Sequence, residues 1–206
     1  MNAGKKPGCR ALSMVAVRPF TGPDVNFVIF RQRALYKSEY GFTSDIWKEY
    51  LTEGVWSFVK NFDSGLDCMY ILGYAGVPSG SIAITHAGES TAQLRFFFLE
   101  PAIRGQGAGR LLMDMAIDFC KEKRYERVFL WTFSTLPAAR HLYDRKGFWI
   151  TDVHENADWG EKILEERWDL LLSVKKTDGY HLDFYFSGGC LTSVLTKSCP
   201  LTDPPW

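Results

Sequence analysis

Residues 99–110 read LEPAIRGQGAGR, and this stretch decides how the rest of the chain is interpreted. The apolar, aromatic run at 94–99 predicts a strand, and the residues that follow the stretch have helical periodicity. Between them stand Gly105, Gly107 and Gly109, which allow a sharp turn and close approach to backbone N–H groups. A helix that begins there adds unpaired N–H donors and the positive end of its dipole. The stretch therefore predicts a phosphate or pyrophosphate site, with a glycine-rich turn that binds no ligand as the alternative.

The glycine spacing excludes two common phosphate-binding loops. A dinucleotide-binding fingerprint requires G-x-G-x-x-G, but the third position counted from Gly105 and Gly107 is Arg110. A P-loop requires Gly-Lys-Ser/Thr beginning five residues after its first glycine, where Arg110 stands again. The pattern that remains is Arg104-x-x-Gly107-x-Gly109.

Composition and charge bound the class of protein. The 206 residues suffice for one large domain or one and a half small ones, and 46% hydrophobic residues predict a globular core. Because 24 acidic residues balance 24 basic ones, no net charge attracts nucleic acid or a membrane surface. The five cysteines include no C-x-x-C pair and the four histidines have no metal-ligand spacing, so neither a disulfide framework nor a metal is expected.

The expected location is the cytoplasm. No apolar run reaches the roughly 20 residues that a membrane span needs. Residues 1–12 are predicted to be a flexible lead-in, and their basic charge is not followed by the apolar segment of a signal peptide.

Hydrophobic periodicity and turn residues predict the element order β-α-α-β-β-β-α-β-α-β-β. Strands are predicted at 13–20, 67–74, 79–85, 91–99, 127–132, 148–154 and 163–172. Helices are predicted from Pro23 to before Gly41, from a cap at Thr43 or Ser44 to before Asn61, after the glycines, and over 136–146 with Thr135 as cap. Because a helix separates the fourth strand from the fifth, these two strands are expected to be parallel.

The remaining pattern, Arg104-x-x-Gly107-x-Gly109, resembles the acetyl-CoA signature Q/R-x-x-G-x-G/A of the GNAT superfamily of N-acetyltransferases. Residues 138–148, AARHLYDRKGF, resemble the A-x-x-L-Y-x-x-x-G-F segment of that family, and the element order resembles its layout. Three strings resemble, more narrowly, the acetyltransferase half of MarR-type regulator fusions: LWT at 130–132, WGEK at 159–162 and WDL at 168–170.

The resemblance implies an α/β (α+β) GNAT fold over residues 13–173. In that fold a central mixed, mostly antiparallel twisted sheet of about seven strands has helices on both faces and a V-shaped splay between its fourth and fifth strands. It also implies acetyl-CoA as cosubstrate, no metal, and direct transfer in a ternary complex to the primary amine of a small molecule or peptide. The aromatic residues of the first two helices would form the wall of the acceptor site, among them Tyr36, Tyr40, Phe42, Trp47, Tyr50 and Trp56.

The resemblance assigns roles to particular residues. Tyr143 stands where the family places a tyrosine that protonates the CoA thiolate, although a core aromatic is the alternative. Leu136 stands where many members have an asparagine, and Ser134 is the candidate replacement. Glu100 is the carboxylate nearest the reacting end of the strand, either as a general base or as a turn residue. The other implied cofactor-binding residues are Leu99, for the pantetheine arm, and Arg104, Gly105, Gln106, Gly107, Ala108, Gly109 and Arg110, for the pyrophosphate.

Some alternatives stay open on the sequence. A non-catalytic acyl-CoA-binding regulatory module and a nucleotide-binding domain that only mimics the loop are the competing functions. Residues 174–206 lie outside the resemblance and are predicted to be a C-terminal extension, irregular or with an added strand at 179–186. That extension is a candidate oligomer contact, so a homodimer is an option. The acceptor amine is not determined.

Overall fold

The computed structural model describes residues 14–159, 162–172, 180–187 and 190–197. The chain divides into two compact units, Met1–Leu172 and Ser173–Trp206. In the first unit the described residues form a seven-stranded sheet with helices, and in the second they form a two-stranded sheet. The predicted boundaries at residues 12, 13, 173 and 174 stay a prediction.

The elements of the first unit follow the predicted order. Its strands are β1 (Val15–Pro19), β2 (Cys68–Tyr74), β3 (Val77–His86), β4 (Thr91–Leu99), β5 (Arg127–Phe133), β6 (Trp149–Asn156) and β7 (Ile163–Leu171). Its helices are α1 (Asp24–Tyr40), α2 (Asp45–Lys60), α3 (Ala108–Glu122) and α4 (Pro137–Arg145), with a short 3₁₀ turn at Pro101–Ile103.

Helix ends follow the local sequence in all but one case. Helix α1 ends at Gly41, which adopts the left-handed conformation (φ 72°) that ends helices readily. Helix α2 begins after Ser44, whose hydroxyl accepts a hydrogen bond from the Trp47 backbone N–H at 3.1 Å. The predicted cap at Thr135 is wrong, because Leu136 occupies the cap position of α4 without a side-chain hydrogen bond. Pro137 begins the helix instead, since its ring presets the helical φ and it has no N–H to satisfy.

The sheet order β1-β2-β3-β4-β5-β7-β6 confirms the predicted mixed, mostly antiparallel sheet. All neighbouring strands are antiparallel except β4 and β5, which are parallel as expected from the helical crossover. Helices cover both faces, as consecutive residues of β2 show. Ile71 belongs to the core that contains Val28 of α1, whereas Leu72 belongs to the core that contains Leu112 of α3 and Tyr143 of α4.

The splay between β4 and β5 begins early in both strands. Their last paired residues are Gln93 and Phe129, and the two strands diverge beyond this point. In the same part of β4 the register against β3 shifts between Ser81 and Ala83, where β4 contains one residue more than β3. Phe96 lies in this bulge with φ 51°, a left-handed conformation that is strained for a bulky side chain.

Two residues of β3 hold the bulge in place. The buried Ser81 hydroxyl donates a hydrogen bond of 2.6 Å to the Phe96 carbonyl. A Cβ on Gly80 would lie 2.8 Å from the Phe98 carbonyl oxygen and 2.5 Å from Leu99 Cδ2, so only glycine fits there without movement. The predicted V-shaped splay is therefore confirmed, and a bulge that the sequence does not predict lies in the same part of β4.

The second unit contains an antiparallel pair of strands, β8 (Tyr180–Ser187) and β9 (Cys190–Lys197). The single strand predicted at 179–186 corresponds to β8, whereas β9 was not predicted. In the sequence, Gly188 and Gly189 indicate the end of a strand. A glycine pair is also typical of two-residue β-hairpin loops, so the sequence alone permits both interpretations.

Candidate active site

A long cleft of about 680 Å³ opens where β4 and β5 diverge. Its walls come from α1, the end of β4, the glycine stretch and α4. The lining residues are Leu35, Tyr36, Glu39, Tyr40, Phe97, Phe98, Leu99, Arg104, Gly105, Gly107, Gly109, Arg110, Leu136, Pro137, Ala138, Ala139, Leu142 and Tyr143.

The end of β4 turns its backbone towards this cleft. The Glu100 N–H donates to the Ser79 carbonyl of β3 at 2.8 Å. Because peptide groups point alternately to the two sides of a strand, those of Leu99 and Phe97 point away from β3. The Leu99 carbonyl accepts a hydrogen bond of 2.8 Å from Arg104 Nε, which fixes the end of the strand to the loop. Leu99 therefore lies where the sequence analysis expects a pantetheine-binding residue.

The glycine stretch forms a cradle of backbone donors. Gly105 and Gly107 have φ values of 71° and 90°, which only glycine adopts without strain, and α3 begins directly after Gly107. The first helical hydrogen bond runs from the Leu111 N–H to the Gly107 carbonyl at 3.0 Å. Within the described part of the chain, the N–H groups of residues 105–110 have no acceptor. A pyrophosphate fits this cradle, because it needs several converging N–H donors at a helix N-terminus.

Close packing behind the cradle also favours a small residue at position 109. A Cβ on Gly109 would lie 3.3 Å from Leu99 Cδ1 and 3.5 Å from Leu142 Cδ2. A side chain there would press on the end of β4 and on α4 together, and both elements line the cleft.

The side chains of Arg104 and Gln106 have protein partners; the charge of Arg104 was predicted to assist phosphate binding, whereas Gln106 was predicted to act through its backbone amide. The Arg104 guanidinium donates hydrogen bonds of 2.8 and 2.9 Å to Glu39 of α1, and this pairing lowers the pKa of the Glu39 carboxyl. Gln106 Nε2 donates to the Ala102 carbonyl at 2.8 Å, and the Gln106 side chain does not line the cleft. The charge of Arg104 is thus already compensated by Glu39. Besides its charge, Arg104 contributes a link between α1 and the end of β4 beside the cleft.

Of the other predicted cofactor-binding residues, some line the cleft and some do not. Ala108 is buried, so only its backbone is available to a ligand, and Arg110 lines the cleft. Ser134 does not line the cleft, and its N–H donates to the Leu164 carbonyl of β7 at 3.0 Å. The slot where the sequence analysis places Ser134 is lined by Leu136.

Tyr143 lies in the cleft wall and is only 5% exposed. Its ring packs against Phe97, Phe148 and Trp168, with ring centroids 6.0–6.5 Å apart. Burial raises the pKa of the Tyr143 phenol above its usual range, and the phenol of Tyr36 adds to this shift. The hydroxyl therefore stays protonated at neutral pH.

A basic groove of about 520 Å³ lies on the outer side of the cradle. It is lined by Arg110 of α3 and by His141, Arg145 and Lys146 at α4, and Lys146 forms an ion pair with Asp114. The sequence analysis missed the α4 members of this groove. Their spacing was the available signal, because His141 and Arg145 are four residues apart and so share one helix face.

An aromatic cavity of about 110 Å³ lies between α1, α2 and the sheet. Seven aromatic residues line it: Tyr36, Trp47, Tyr50, Phe96, Trp131, Phe133 and Trp159. Its polar lining residues are Gln32, Gln93, Arg95 and Glu165. Of the aromatic residues predicted for an acceptor wall, Tyr36, Trp47 and Tyr50 line the cavity, Tyr40 lines the cleft, and Phe42 and Trp56 line neither.

Tyr36 borders both the long cleft and the aromatic cavity. Its burial raises the pKa of the phenol to about 12, an effect that a hydrogen bond from Gln32 offsets in part. Tyr36, which stays neutral at physiological pH, is thus a lining residue of both spaces.

Glu100, the carboxylate singled out from the sequence, is held elsewhere. Its two oxygens accept hydrogen bonds of 2.6 and 2.8 Å from Arg31 of α1, and it lines neither the cleft nor the cavity. The carboxylate that does reach the cavity is Glu165 of β7, which accepts hydrogen bonds from Trp159 Nε1 at 2.5 Å and from His154 Nε2 at 3.0 Å. Strand pairing brings Glu165 there, a relation that local sequence does not reveal.

Comparison with known proteins identifies the class. The model of the acetyltransferase (GNAT) family matches residues 32–148, more than half of the chain. The chain belongs to this family. It is therefore an N-acetyltransferase that uses acetyl-CoA as cosubstrate and an amine as acceptor.

Individual relatives agree with this assignment. Over 114 residues the chain is 28% identical to the uncharacterized N-acetyltransferase YjgM of Escherichia coli (strain K12), a match that covers 54% of this chain and 68% of that protein. An acetyltransferase of the GNAT family from Staphylococcus aureus MU50 has the same fold, with a TM-score of 0.64 and 17% identity over 77% of this chain and 99% of that one. The structure of yncA from Salmonella typhimurium with its cofactor acetyl-CoA has a TM-score of 0.63 and 15% identity, over 78% and 95% of the two chains.

Two further observations concern the described residues only. Among them no helix is both long and apolar enough to cross a membrane. In the same part of the chain, no group of three or more His, Cys, Asp or Glu side chains is arranged to hold a metal ion.

Proposed function

We propose that the protein transfers the acetyl group directly to a primary amine in a ternary complex, with acetyl-CoA in the long cleft and the amine in the aromatic cavity. The observation that carries this proposal is the meeting of the two spaces at Tyr36, on opposite sides of the splay. Holding two reactants in line is worth roughly 7–11 kcal/mol of the barrier, more than any single side chain contributes here.

The residues of the cleft have distinct tasks. The N–H groups of residues 105–110 bind the pyrophosphate, and the peptide groups of Phe97 and Leu99 bind the pantetheine arm. Arg110, His141 and Arg145 in the basic groove take the remaining phosphate charge. Arg104, held by Glu39, keeps the end of β4 and the loop in register for both contacts.

The chemical step moves two protons: one leaves the acceptor amine, and one reaches the sulfur of CoA. Acetyl-CoA, when bound, supplies the acetyl group as a thioester. The acceptor nitrogen forms a bond to the acetyl carbon while the bond from that carbon to sulfur breaks. The amine loses a proton to solvent water, Tyr143 Oη donates one to the leaving sulfur, and the Tyr143 phenolate then takes a proton back from solvent. An amine with a pKa of about 10.4 costs roughly 4–5 kcal/mol to deprotonate at pH 7, so a lysine-like acceptor needs a base more than an α-amine, with a pKa near 8, does.

A ligand panel with thermal unfolding tests the cofactor assignment. Acetyl-CoA is expected to raise the Tm, whereas ATP and NAD are not. The variant Gly107→Glu places a carboxylate in the cradle and should lose the shift. Gly76→Glu is the matched control, because Gly76 also has a positive φ (82°) but lies in the turn between β2 and β3. A shift retained in Gly107→Glu contradicts the proposed cradle.

Turnover tests the role of Tyr143. The variant Tyr143→Phe should keep the acetyl-CoA thermal shift and lose about 10²-fold or more in kcat, the usual contribution of a general acid. Unchanged turnover would leave Tyr143 as a core aromatic only. A non-catalytic acyl-CoA-binding module would bind acetyl-CoA without turnover in either protein.

Finer assignments belong to the same proposal. The resemblance to the acetyltransferase half of MarR-type fusions, the cytoplasmic location and a homodimer contact through residues 174–206 are proposed on the sequence alone. Light scattering of the full chain and of a chain that ends at residue 173 tests the dimer, since only the full chain should then have twice the monomer mass.

A further inference from the structure

The aromatic cavity holds buried polar atoms that have no partner. Gln32 is 7% exposed and Trp47 is 6% exposed, and both line the cavity. Within the described part of the chain, Gln32 Oε1 and Trp47 Nε1 form no hydrogen bond. A buried polar atom without a partner is costly, so these two mark positions for a ligand's donor and a ligand's acceptor.

A positive charge lies in the same cavity. Arg95 of β4 is half-buried, and its guanidinium lies 4.7 Å from the centre of the Phe96 ring. Its Nη2 packs so closely on Gly54 of α2 that a Cβ there would lie 2.8 Å away. Among the described residues, no carboxylate lies within ion-pair distance of Arg95. A planar, partly desolvated guanidinium of this kind is suited to a carboxylate supplied by a ligand.

Gln32 and the guanidinium of Arg95 lie in different parts of the cavity. Gln32 lies one helical turn before Tyr36 on α1, next to the junction with the long cleft. An amine bound to Gln32 Oε1 therefore lies beside the reacting centre. Trp47 lies near the same junction, because the centroid of its ring is 5.2 Å from that of Tyr36. Arg95 packs on Gly54, about two helical turns after Trp47 on α2, so a carboxylate bound to Arg95 lies away from the thioester.

From these contacts we propose that the acceptor is a small amino acid with an apolar side chain. Its amine binds Gln32, its carboxylate binds Arg95, and its side chain packs among the aromatic rings, with Trp47 Nε1 as a further donor near the junction. This inference rests on the proposed function, because it assigns the aromatic cavity to the acceptor.

Size and charge favour an amino acid over other amines. On the measure by which one water needs about 10–15 Å³, a cavity of about 110 Å³ holds roughly seven to eleven non-hydrogen atoms. A polyamine carries several positive charges, yet the charged residues that line the cavity are one arginine and one glutamate. Glu165 already accepts hydrogen bonds from Trp159 and His154, and its charge disfavours an acidic side chain on the acceptor.

Acetyl-transfer assays with matched acceptors test the proposal. The acceptors are L-valine, L-leucine and L-methionine, the corresponding amino-acid amides, L-glutamate and spermidine. We expect kcat/KM for each apolar amino acid to exceed that for its amide by about 10- to 100-fold, because the amide lacks the carboxylate. L-Glutamate and spermidine should be poorer acceptors than L-leucine.

The variant Arg95→Gln should remove the preference for the acid over the amide and leave the acetyl-CoA thermal shift unchanged. Arg33→Gln, at an arginine of α1 that lines neither space, is the control and should keep the wild-type preference. Calorimetric titration of L-leucine into the protein with CoA bound gives a second readout that needs no turnover, and binding should weaken by the same factor in Arg95→Gln.

The outcomes separate this inference from the proposed function. Equal rates on acids and amides, a preference for spermidine, or an equal loss on both acceptors in Arg95→Gln overturns the amino-acid assignment while acetyl transfer stands. Absence of both an acetyl-CoA thermal shift and turnover on every amine overturns the proposed function, and the inference with it.

Discussion

The bulge in β4 makes a prediction about Ser81. In Ser81→Ala the Phe96 carbonyl loses its 2.6 Å hydrogen bond at a residue that is 0% exposed, and a buried acceptor left unsatisfied costs about 1–3 kcal/mol. For a domain of this size that corresponds to roughly 2–4 °C of Tm for each kcal/mol. Phe96 also holds a strained backbone, at a cost of about 1–3 kcal/mol, which the variant allows to relax.

Relaxation of Phe96 would narrow the splay, so the dissociation constant for acetyl-CoA should rise by up to roughly 5- to 150-fold. Calorimetry on the purified variant measures this constant, and thermal unfolding measures the stability. The matched control is Ser79→Ala on the same strand, whose hydroxyl donates to the nearby Val77 carbonyl at 2.8 Å and does not touch the bulge. If Ser81→Ala and Ser79→Ala bind acetyl-CoA equally well, the bulge does not shape the cleft and the reasoning is refuted.

Two further predictions concern the half-buried ion pair between Arg18 and Asp24 and the basic groove. Arg18 and hydrogen bonds from Thr21 lower the pKa of Asp24 from 3.8 to about 2, so the pair contributes stability above about pH 4 that is lost as pH falls towards 2. Asp24→Asn should therefore lower the free energy of unfolding at pH 7 by about 1–2 kcal/mol, a value discounted because Arg18 is half exposed. In urea titrations the free energy of unfolding of this variant should also depend less on pH between 4 and 2. The control Asp118→Asn, at an exposed residue, should change neither quantity. If the basic groove binds the 3′-phosphate of CoA, Arg145→Ala should weaken acetyl-CoA binding by about 2- to 5-fold. Binding of acetyl-dephospho-CoA, which lacks that phosphate, should be unchanged. An equal loss for both ligands would show that the 3′-phosphate does not bind at Arg145.

The sequence predicts best what short stretches determine. Gly41 ends α1, Ser44 caps α2, and the glycines before α3 build the cradle, because each acts through its own backbone or that of the next turn. The parallel pairing of β4 and β5 was also predictable, since a helical crossover permits little else.

Contacts between distant residues were not predictable in this way. Arg31 and Glu100 are 69 positions apart, and their pairing occupies the carboxylate that the sequence analysis considered either as a general base or as a turn residue. Arg104 likewise reaches back 65 positions to Glu39. Charge alone could not select these partners, because the chain offers 24 acidic residues to every arginine. The bulge at Phe96 is similar, since the sequence of β4 contains no glycine that would announce a left-handed residue.

The small overlap between the linings of the two spaces has a consequence for how such a protein diversifies. The aromatic cavity is lined by residues of α1, α2, β4, β5 and β7, whereas the long cleft is lined by α1, the end of β4, the glycine stretch and α4, and Tyr36 is the one lining residue that they share. The proposed function therefore predicts that substitutions at Gln32, Trp47 or Arg95 alter which amine is accepted and leave the cofactor contacts unchanged. Acceptor range and cofactor affinity can be engineered as separate traits, provided that Tyr36 is kept.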